Sequence, residues 1–354
     1  MVPDLLSRCL AGGRLSREEI ASLFECADLL ALGEAADRVR EAKHPDGIVT
    51  YVCDRNINTT NVCVAGCRFC AFFRTEAHAD AYRLSFDEVH AKIAELAAAG
   101  GTQVLMQGGL HPGLTVHYYE RLFRFIKERF RIQVHSLSPP EIVHLARTSS
   151  LSVEETLRRL RDAGLDSLPG GGAEILSEAV RARVSPRKCT AQEWLDVMEV
   201  AHGLGMRSTA TMMFGHEETY ADRAEHLIRV RDLQDRTGGF TAFIPWSFQS
   251  ANTALSHRPV AGGHDYLRTL AVARLALDNF DNLQASWVTQ GARIAQLALR
   301  FGANDMGSTM MEENVVRAAG VTFRLDRAGI EQLVREAGFE PQQRDTLYRL
   351  LVDA

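Results

Sequence analysis

The chain has 354 residues, 46% of them hydrophobic, enough to bury a sizeable core as one large α/β domain or a domain with an appendage. Its formal net charge is −5 without a long run of one sign, so the basic face that nucleic-acid binding needs is missing and a small-molecule substrate is expected. The N-terminus, MVPDLLSRCLAGGRLS, lacks the basic and long apolar regions of a signal peptide, and no apolar run reaches the ~18 residues of a membrane span.

Residues 1–45 read as a small helical cap. Ser16-Arg-Glu-Glu19 is a capping-box pattern, and Ile20, Leu23, Phe24, Ala27 and Leu30 recur at helical spacing. A strand follows over 47–58, leaving Arg55, Asn56 and Asn58 at its end, facing a cleft. Beyond a cysteine-rich loop the pattern alternates. Helices are predicted over 85–99, 116–130, 152–163, 174–182, 191–204, 220–236, 266–280 and 291–300. Short apolar strands are predicted at 102–106, 131–137, 165–167, 207–213, 240–245 and 282–287, with FGAND a last strand or loop and at least two helices beyond 310. About eight β/α units predict a closed (β/α)₈ TIM-type barrel over 46–310, with a C-terminal helical extension over 311–354. A doubly wound open sheet is the alternative, disfavoured because no G-x-G-x-x-G follows a strand. In such barrels the chemistry gathers where strands end.

Cys63, Cys67 and Cys70 stand at C-x₃-C-x₂-C, while Cys9, Cys26, Cys53 and Cys189 are scattered without framework spacing. Three thiolates this close can hold three irons of a [4Fe–4S] cluster and leave the fourth without a protein ligand. A structural zinc site is the competing reading, but zinc prefers four ligands and no second pair follows. The cluster reading implies a reducing, cytoplasmic compartment.

The remaining unusual motifs fall at predicted strand ends. Ser136-Leu-Ser138-Pro-Pro-Glu141 is a rigid loop presenting Ser136, Ser138 and Glu141 inward, or equally a helix N-cap with Glu141 in its first turn. Gly170-Gly171-Gly172 is costly to order, and amides at Gly171 and Gly172 suit a carboxylate. Glu174 is placed to accept hydrogen bonds, and Arg181 or Arg183 is either a bidentate carboxylate clamp or a solvated helix charge. His216 is an acid/base candidate by residue type, although a lone histidine is more often structural. Trp246 and Phe248, beside Ser247 and Gln249, read as a pocket wall for a ring-bearing substrate. Thr289, in SWVTQG, and Asp305, in NDMGST, complete the ring.

These motifs resemble the radical S-adenosylmethionine (SAM) superfamily. CVAGCRFCAFFR, MQGGLHP, SLSPPEI, LPGGGAEIL, TATMMFGHEET, GGFTAFIPWSFQ, QASWVTQG and FGANDMGSTMMEENVVRAAG are most similar, over about residues 45–320, to its futalosine-cyclising family of menaquinone biosynthesis. Aminofutalosine synthases and the deazaflavin (FO) synthase parts are sister families. The resemblance implies that SAM chelates the open iron and is cleaved reductively to a 5′-deoxyadenosyl radical. It implies that Phe69 lies against adenine, that Gln107, Gly108 and Gly109 hold the SAM amino group despite Leu110 replacing the usual Glu, and that Gly215 and Glu218 belong to an adenine region in which Thr211 replaces the first Gly. Ser136, Glu174 and Arg181 join the expected cofactor site. Arg55, Gly171, Gly172, Trp246, Phe248 and Thr289 are the expected substrate contacts, and Glu141, His216 and Asp305 the candidate acceptors of the final proton. The implied substrate is dehypoxanthine futalosine, and the implied partner a reductant such as flavodoxin or ferredoxin. A non-catalytic iron–sulfur carrier and a zinc-stabilised binding module are the readings outside this class.

Overall fold

A computed structural model describes residues 2–351. Strands β1 (Ile48–Val52) and β2 (Asp54–Ile57) are halves of one extended segment broken at Cys53. β2 opens a seven-stranded parallel sheet, continued in order by β3 (Gln103–Met106), β4 (Gln133–Ser136), β5 (Ser167–Leu168), β6 (Arg207–Phe214), β7 (Phe240–Ser247) and β8 (Asn282–Leu283). β1 instead pairs in parallel with β9 (Asp305–Ser308) on one side and β10 (Glu340–Gln343) on the other. A parallel bridge between Gln284 and Asp305, with the Ala285 N–H on the Asp305 carbonyl at 2.8 Å, ties β8 to β9 and closes the circuit. The fold is the expected barrel of eight strand positions.

Side chains alternate along the strands with the period of two that pleating imposes. Val104, Met106, Ala210, Met212 and Phe243 are fully buried in the main apolar core. Their neighbours Gln103, Leu105, Thr209, Thr211, Ile244 and Trp246 point into the barrel. Polar residues inside a closed sheet are costly unless used, so the interior face is the place to look for chemistry.

Several elements differ from the pattern. Pro139–Thr148 is a helix with a complete Ser138–Glu141 capping box, because proline suits the first helical turn. The helix expected over 174–182 begins only at Glu178, since the glycine turn runs on past Glu174. The tail carries its two helices, Val315–Ala318 and Arg327–Glu336, and adds β10, which fills the wedge between β1 and the start of β3, with Gln343 Nε2 on the Gly100 carbonyl at 3.2 Å. At the N-terminus the Ser16–Glu19 capping box is present, and Phe24 stacks on Tyr220 at 5.3 Å, so the cap shares the barrel's core. Among the described residues no helix is long and apolar enough to cross a membrane.

Burial holds the His226 imidazole down at about 3, against an ordinary value near 6.5, while its Nδ1 accepts the Leu176 N–H at 3.1 Å. A depressed histidine contributes stability that is present above pH 6.5 and lost as pH falls towards 3. His226→Gln is therefore expected to unfold with a shallower acid dependence than the parent, by up to about 1.4 kcal/mol per pH unit in that window. Urea titrations at pH 7, 6 and 5 measure the difference; parallel curves would contradict it.

Candidate active site

The cysteine loop lies between β2 and the helix Phe86–Ala98 and is fixed by its own backbone. The Cys63 N–H donates to the Arg74 carbonyl (3.0 Å) and the Arg74 N–H to the Asn61 carbonyl (2.8 Å), pinching the loop shut at its base. The Val64 N–H reaches the Leu110 carbonyl and the Arg68 N–H the Val184 carbonyl, at 3.0 and 2.9 Å. Arg74 Nη1 gathers the carbonyls of Ala71, Phe72 and Phe73. Cys67 is buried and Cys63 and Cys70 half-buried, packed with Ala65, Leu110 and Phe69 in a small cluster apart from the main core.

Burial pushes the Cys67 thiol up to about 12 and raises Cys70, while Lys188 opposes both shifts and the Phe72 and Phe73 amides donate to the Cys70 sulfur. Thiols held neutral but provided with amide donors and a nearby cation suit a metal that replaces their protons. Among the described residues no three His, Cys, Asp or Glu side chains converge on a point that one ion would occupy. A cubane differs from a single-ion site in that each thiolate would bind its own iron.

Gly109 sits directly beneath this loop. Its N–H donates to the Thr60 carbonyl at 2.9 Å, and a Cβ there would collide with the Val62 carbonyl and come within 3.0 Å of Cys63 Cβ. Backbone against backbone cannot yield as a flexible side chain can. Gly109→Ala is expected to displace the loop and cut iron bound after anaerobic reconstitution by about half or more, with the barrel intact by circular dichroism. Iron content equal to the parent's would contradict this placement.

A cavity of about 240 Å³ runs down the barrel from these strand ends. Gln107, Gly171, Trp246 and Thr289, all singled out in the sequence, line it. Gln107 lies against Gly171, where a side chain would strike its amide, and Gly172 (φ +80°) approaches Pro140 and Lys188.

The other expected contacts are committed elsewhere. Glu141 accepts the Ser138 N–H and hydroxyl (2.8 and 2.6 Å) and the Gly108 N–H (2.9 Å); it anchors the Gly-Gly turn and does not face the cavity, and burial pushes its carboxyl up to about 7. His216 has both ring nitrogens in use, Nε2 donating to the Met213 carbonyl (3.0 Å) and Nδ1 accepting the Glu217 N–H (2.7 Å), and its ring lies between Phe69 and Phe248. Phe248 is buried behind that ring and does not line the cavity. Asp305 is ion-paired with Arg344 at 2.5 Å and accepts the Thr50 hydroxyl. Ser136 donates to the Met106 carbonyl at 2.8 Å. Glu218 accepts the Gly215 and His216 N–H groups and pairs with Arg223, holding the Gly215 turn (φ +92°). Arg181 is buried and donates to the carbonyls of Gly172, Ala173 and Cys189, so it braces the glycine turn and clamps no carboxylate. Arg183 donates to the Glu217 carbonyl on the surface.

Residue type alone could not reveal three further features. Lys188 is half-buried, 2.5 Å from Glu174, which adopts the left-handed region (φ +44°). Burial works against the Glu174 charge, but Lys188 overcomes it and holds the carboxyl below its ordinary value. Arg55, Asn56 and Asn58 do not reach a substrate freely: they are zipped to Glu312 (2.8 Å), Glu313 (2.8 Å) and Asn314 (3.2 Å). The carboxylates facing the cavity are Asp54, pushed up to about 6 by burial, and Glu313, also raised by burial. Asp54 is held by Gln103 and Ser308, whereas Glu313 reaches Asn56 from the strap over the cavity.

A three-cysteine loop poised over a parallel barrel defines an iron–sulfur radical enzyme class, and the chain belongs to the radical SAM superfamily, whose pattern matches residues 57–230. Residues 237–353 match the CofH/MqnC C-terminal region. Within that class the chain is 48% identical over 351 residues, 99% of its length and 95% of the relative's, to the cyclic dehypoxanthine futalosine synthase of Halalkalibacterium halodurans. It is 40% identical, over 99% of both chains, to the 5-amino-6-(D-ribitylamino)uracil–L-tyrosine 4-hydroxyphenyl transferase of Methanococcoides burtonii. The fold matches the FeFe-hydrogenase maturase HydG from Carboxydothermus hydrogenoformans with a TM-score of 0.76 at 18% identity, covering 98% of this chain and 80% of that one. The protein is an enzyme of radical chemistry.

Proposed function

We propose that this enzyme cyclises dehypoxanthine futalosine, joining the ribose C4′ to the attached benzoate ring. The observation that favours cyclisation over aryl transfer is an identity of 47–48% to two cyclases against 38–43% to six transferases, each over most of the chain. The cavity is compatible: Trp246 offers a face to the arene, and Gln107, Thr209, Thr211, Gln284 and Thr289 offer hydrogen bonds to a ribose.

Cys63, Cys67 and Cys70 would hold the [4Fe–4S] cluster, and the Gly108–Gly109 backbone with Glu174 would meet the SAM amino acid. When bound, the pair supplies a primary carbon radical able to take hydrogen from an unactivated C–H bond. The protein's part is placement, since holding the reacting atoms in line removes much of the entropic barrier. The Gly171 amide, at the cavity wall, would receive the benzoate carboxylate, whereas Gly172 lies behind it against Pro140 and Lys188, and the closed barrel keeps water away. C4′ would lose its hydrogen to that radical and bond to the arene, and the ring would then give up one proton to the protein and one electron, for which the cluster, left oxidised by SAM cleavage, would be the acceptor. Glu141, His216 and Asp305 do not line the cavity, so we assign that proton to Glu313, which does, although its carboxylate also accepts the Asn56 amide and the Val315 and Val316 N–H groups. Glu313→Gln is expected to release 5′-deoxyadenosine within about threefold of the parent while product falls about tenfold or more; equal losses of both would remove Glu313 from this role.

The reading is tested by anaerobic incubation of the reconstituted enzyme with SAM, dithionite and either dehypoxanthine futalosine or 5-amino-6-(D-ribitylamino)uracil with tyrosine. The spiro-cyclised product from the first is expected. Turnover of the second pair alone would replace cyclase by transferase.

A further inference from the structure

The floor of the cavity is made by the tail of the chain. After β10 the chain turns back in a short hairpin, closed by an antiparallel bridge between Arg344 and Leu350. The Asp345 carboxylate holds the turn by accepting the Leu347 and Arg349 N–H groups at 2.8 and 3.0 Å. Alternate residues, Arg344, Thr346 and Tyr348, line the cavity, while Leu347 and Arg349 are exposed. Gln343 pairs with Tyr51, so the hairpin enters below Asp54, the first residue of β2. The strand ends beside the cysteine loop lie three residues further along β2, at Ile57, about 10 Å above Asp54 at the usual rise of a strand.

Two groups on this floor lack a protein partner. Thr346 is buried, and its hydroxyl makes no hydrogen bond among the described residues. His135, buried within reach of the Arg344 charge, also lines the cavity. Its Nδ1 lies 2.7 Å from the Ser167 hydroxyl, and its Nε2 has no hydrogen-bond partner among the described residues. Burial and the Arg344 cation push the imidazole down to about 3, so it stays neutral and offers Nε2 as one donor or one acceptor. Buried polar atoms are costly to leave unpaired, and both of these border the space a ligand fills.

The floor does not call for an anion. Arg344 is paired with Asp305, and Asp54, held by Gln103 and Ser308, lines the same cavity. One cation against two carboxylates leaves nothing for the benzoate carboxylate, which belongs nearer the strand ends at Gly171. What fits is a neutral hydroxyl, able to donate to one of the two free groups and accept from the other. With the benzoate at Gly171, the far end of the substrate is its sugar, and the terminal hydroxyl there is the one at C1′.

We propose that Thr346 and His135 bind the C1′ hydroxyl of the ribose and that the hairpin carrying Thr346 selects a sugar without a base; this rests on the cyclase reading and extends it to the far end of the substrate. A purine at C1′ would have to lie where Arg344, Thr346 and Tyr348 close the barrel.

The test pairs a change in the protein with a change in the ligand. Binding of dehypoxanthine futalosine, its 1′-deoxy analogue and futalosine to the reconstituted enzyme with SAM is measured by calorimetry, without reductant. The parent is expected to bind the 1′-deoxy analogue about tenfold or more weakly than the substrate, because a site built for a hydroxyl rejects the ligand lacking it. Thr346→Val and His135→Phe are expected to bind the two within about threefold of each other, and Thr346→Ser to discriminate as the parent does. Futalosine is expected not to bind the parent. Thr346→Val is expected to match the parent in iron content and melting temperature, since its hydroxyl holds nothing in the protein. Discrimination that survives Thr346→Val, or futalosine bound as tightly as the base-free substrate, overturns this subsite alone. A parent that binds neither base-free compound overturns the cyclase reading and the subsite with it.

Discussion

Replacing Cys67 with alanine is expected to abolish reductive SAM cleavage, lowering 5′-deoxyadenosine release by roughly 10³-fold or more, since two thiolates cannot retain the cluster. The fold is expected to survive. The loop is shaped by backbone bonds at Cys63, Val64, Arg68, Cys70 and Arg74, none of which uses the Cys67 sulfur. The side chain belongs to a small satellite cluster with Ala65 and Leu110, separate from the core beneath the barrel helices. Truncation of one buried thiol there is worth about 1 kcal/mol. Far-ultraviolet circular dichroism and a melting curve, run beside the cleavage assay, check both halves of the expectation. A variant that unfolds would mean that the metal supports the fold as well as the reaction.

Arg344→Met is expected to be the most destabilising single change outside the apolar core. Arg344 follows β10 and enters the base of the barrel, where it pairs with Asp305 at 2.5 and 3.0 Å and lies 3.8 Å from the Tyr348 ring centre. Asp305 in turn accepts the Thr50 hydroxyl and the Gly307 N–H. This one contact joins β1, β9 and the tail at the place where the barrel closes. Removing the cation leaves a fully buried carboxylate without its partner, which costs about 3–5 kcal/mol. A fall in melting temperature of roughly 4–7 °C follows for a chain of this size. Adding Asp305→Asn to Arg344→Met is expected to recover part of the loss, because the stranded charge goes with it. If the single variant melted with the parent, the pair would not be what closes the barrel.

The parts legible in the sequence were those with local causes. Cys63, Cys67 and Cys70 are neighbours along the chain, so their spacing alone placed them in one loop. The strand–helix alternation gave the barrel because each unit buries its own apolar face. The helix Pro139–Thr148 was half-visible: two prolines argue for a rigid loop or a helix start, and the Ser138–Glu141 bonds decide for the start. β10 was hidden because Glu340-Pro-Gln-Gln343 carries no apolar alternation and is a strand only by virtue of pairing with β1. The acid/base candidates failed for a different reason. Glu141 and His216 are the right residue types, but whether their lone pairs are free depends on Gly108, Ser138, Met213 and Glu217. The same holds for Arg55, whose partner Glu312 lies 257 residues away. Such contacts across the fold are invisible to spacing and periodicity.

The proposed cyclisation requires this barrel to direct a radical to the ribose C4′ of dehypoxanthine futalosine. Its most direct test is anaerobic turnover of that substrate deuterated at C4′, with mass analysis of the 5′-deoxyadenosine released. Deuterium in the 5′-deoxyadenosine, accompanied by the spiro product, is the predicted result. Unlabelled 5′-deoxyadenosine with the substrate recovered intact would contradict it.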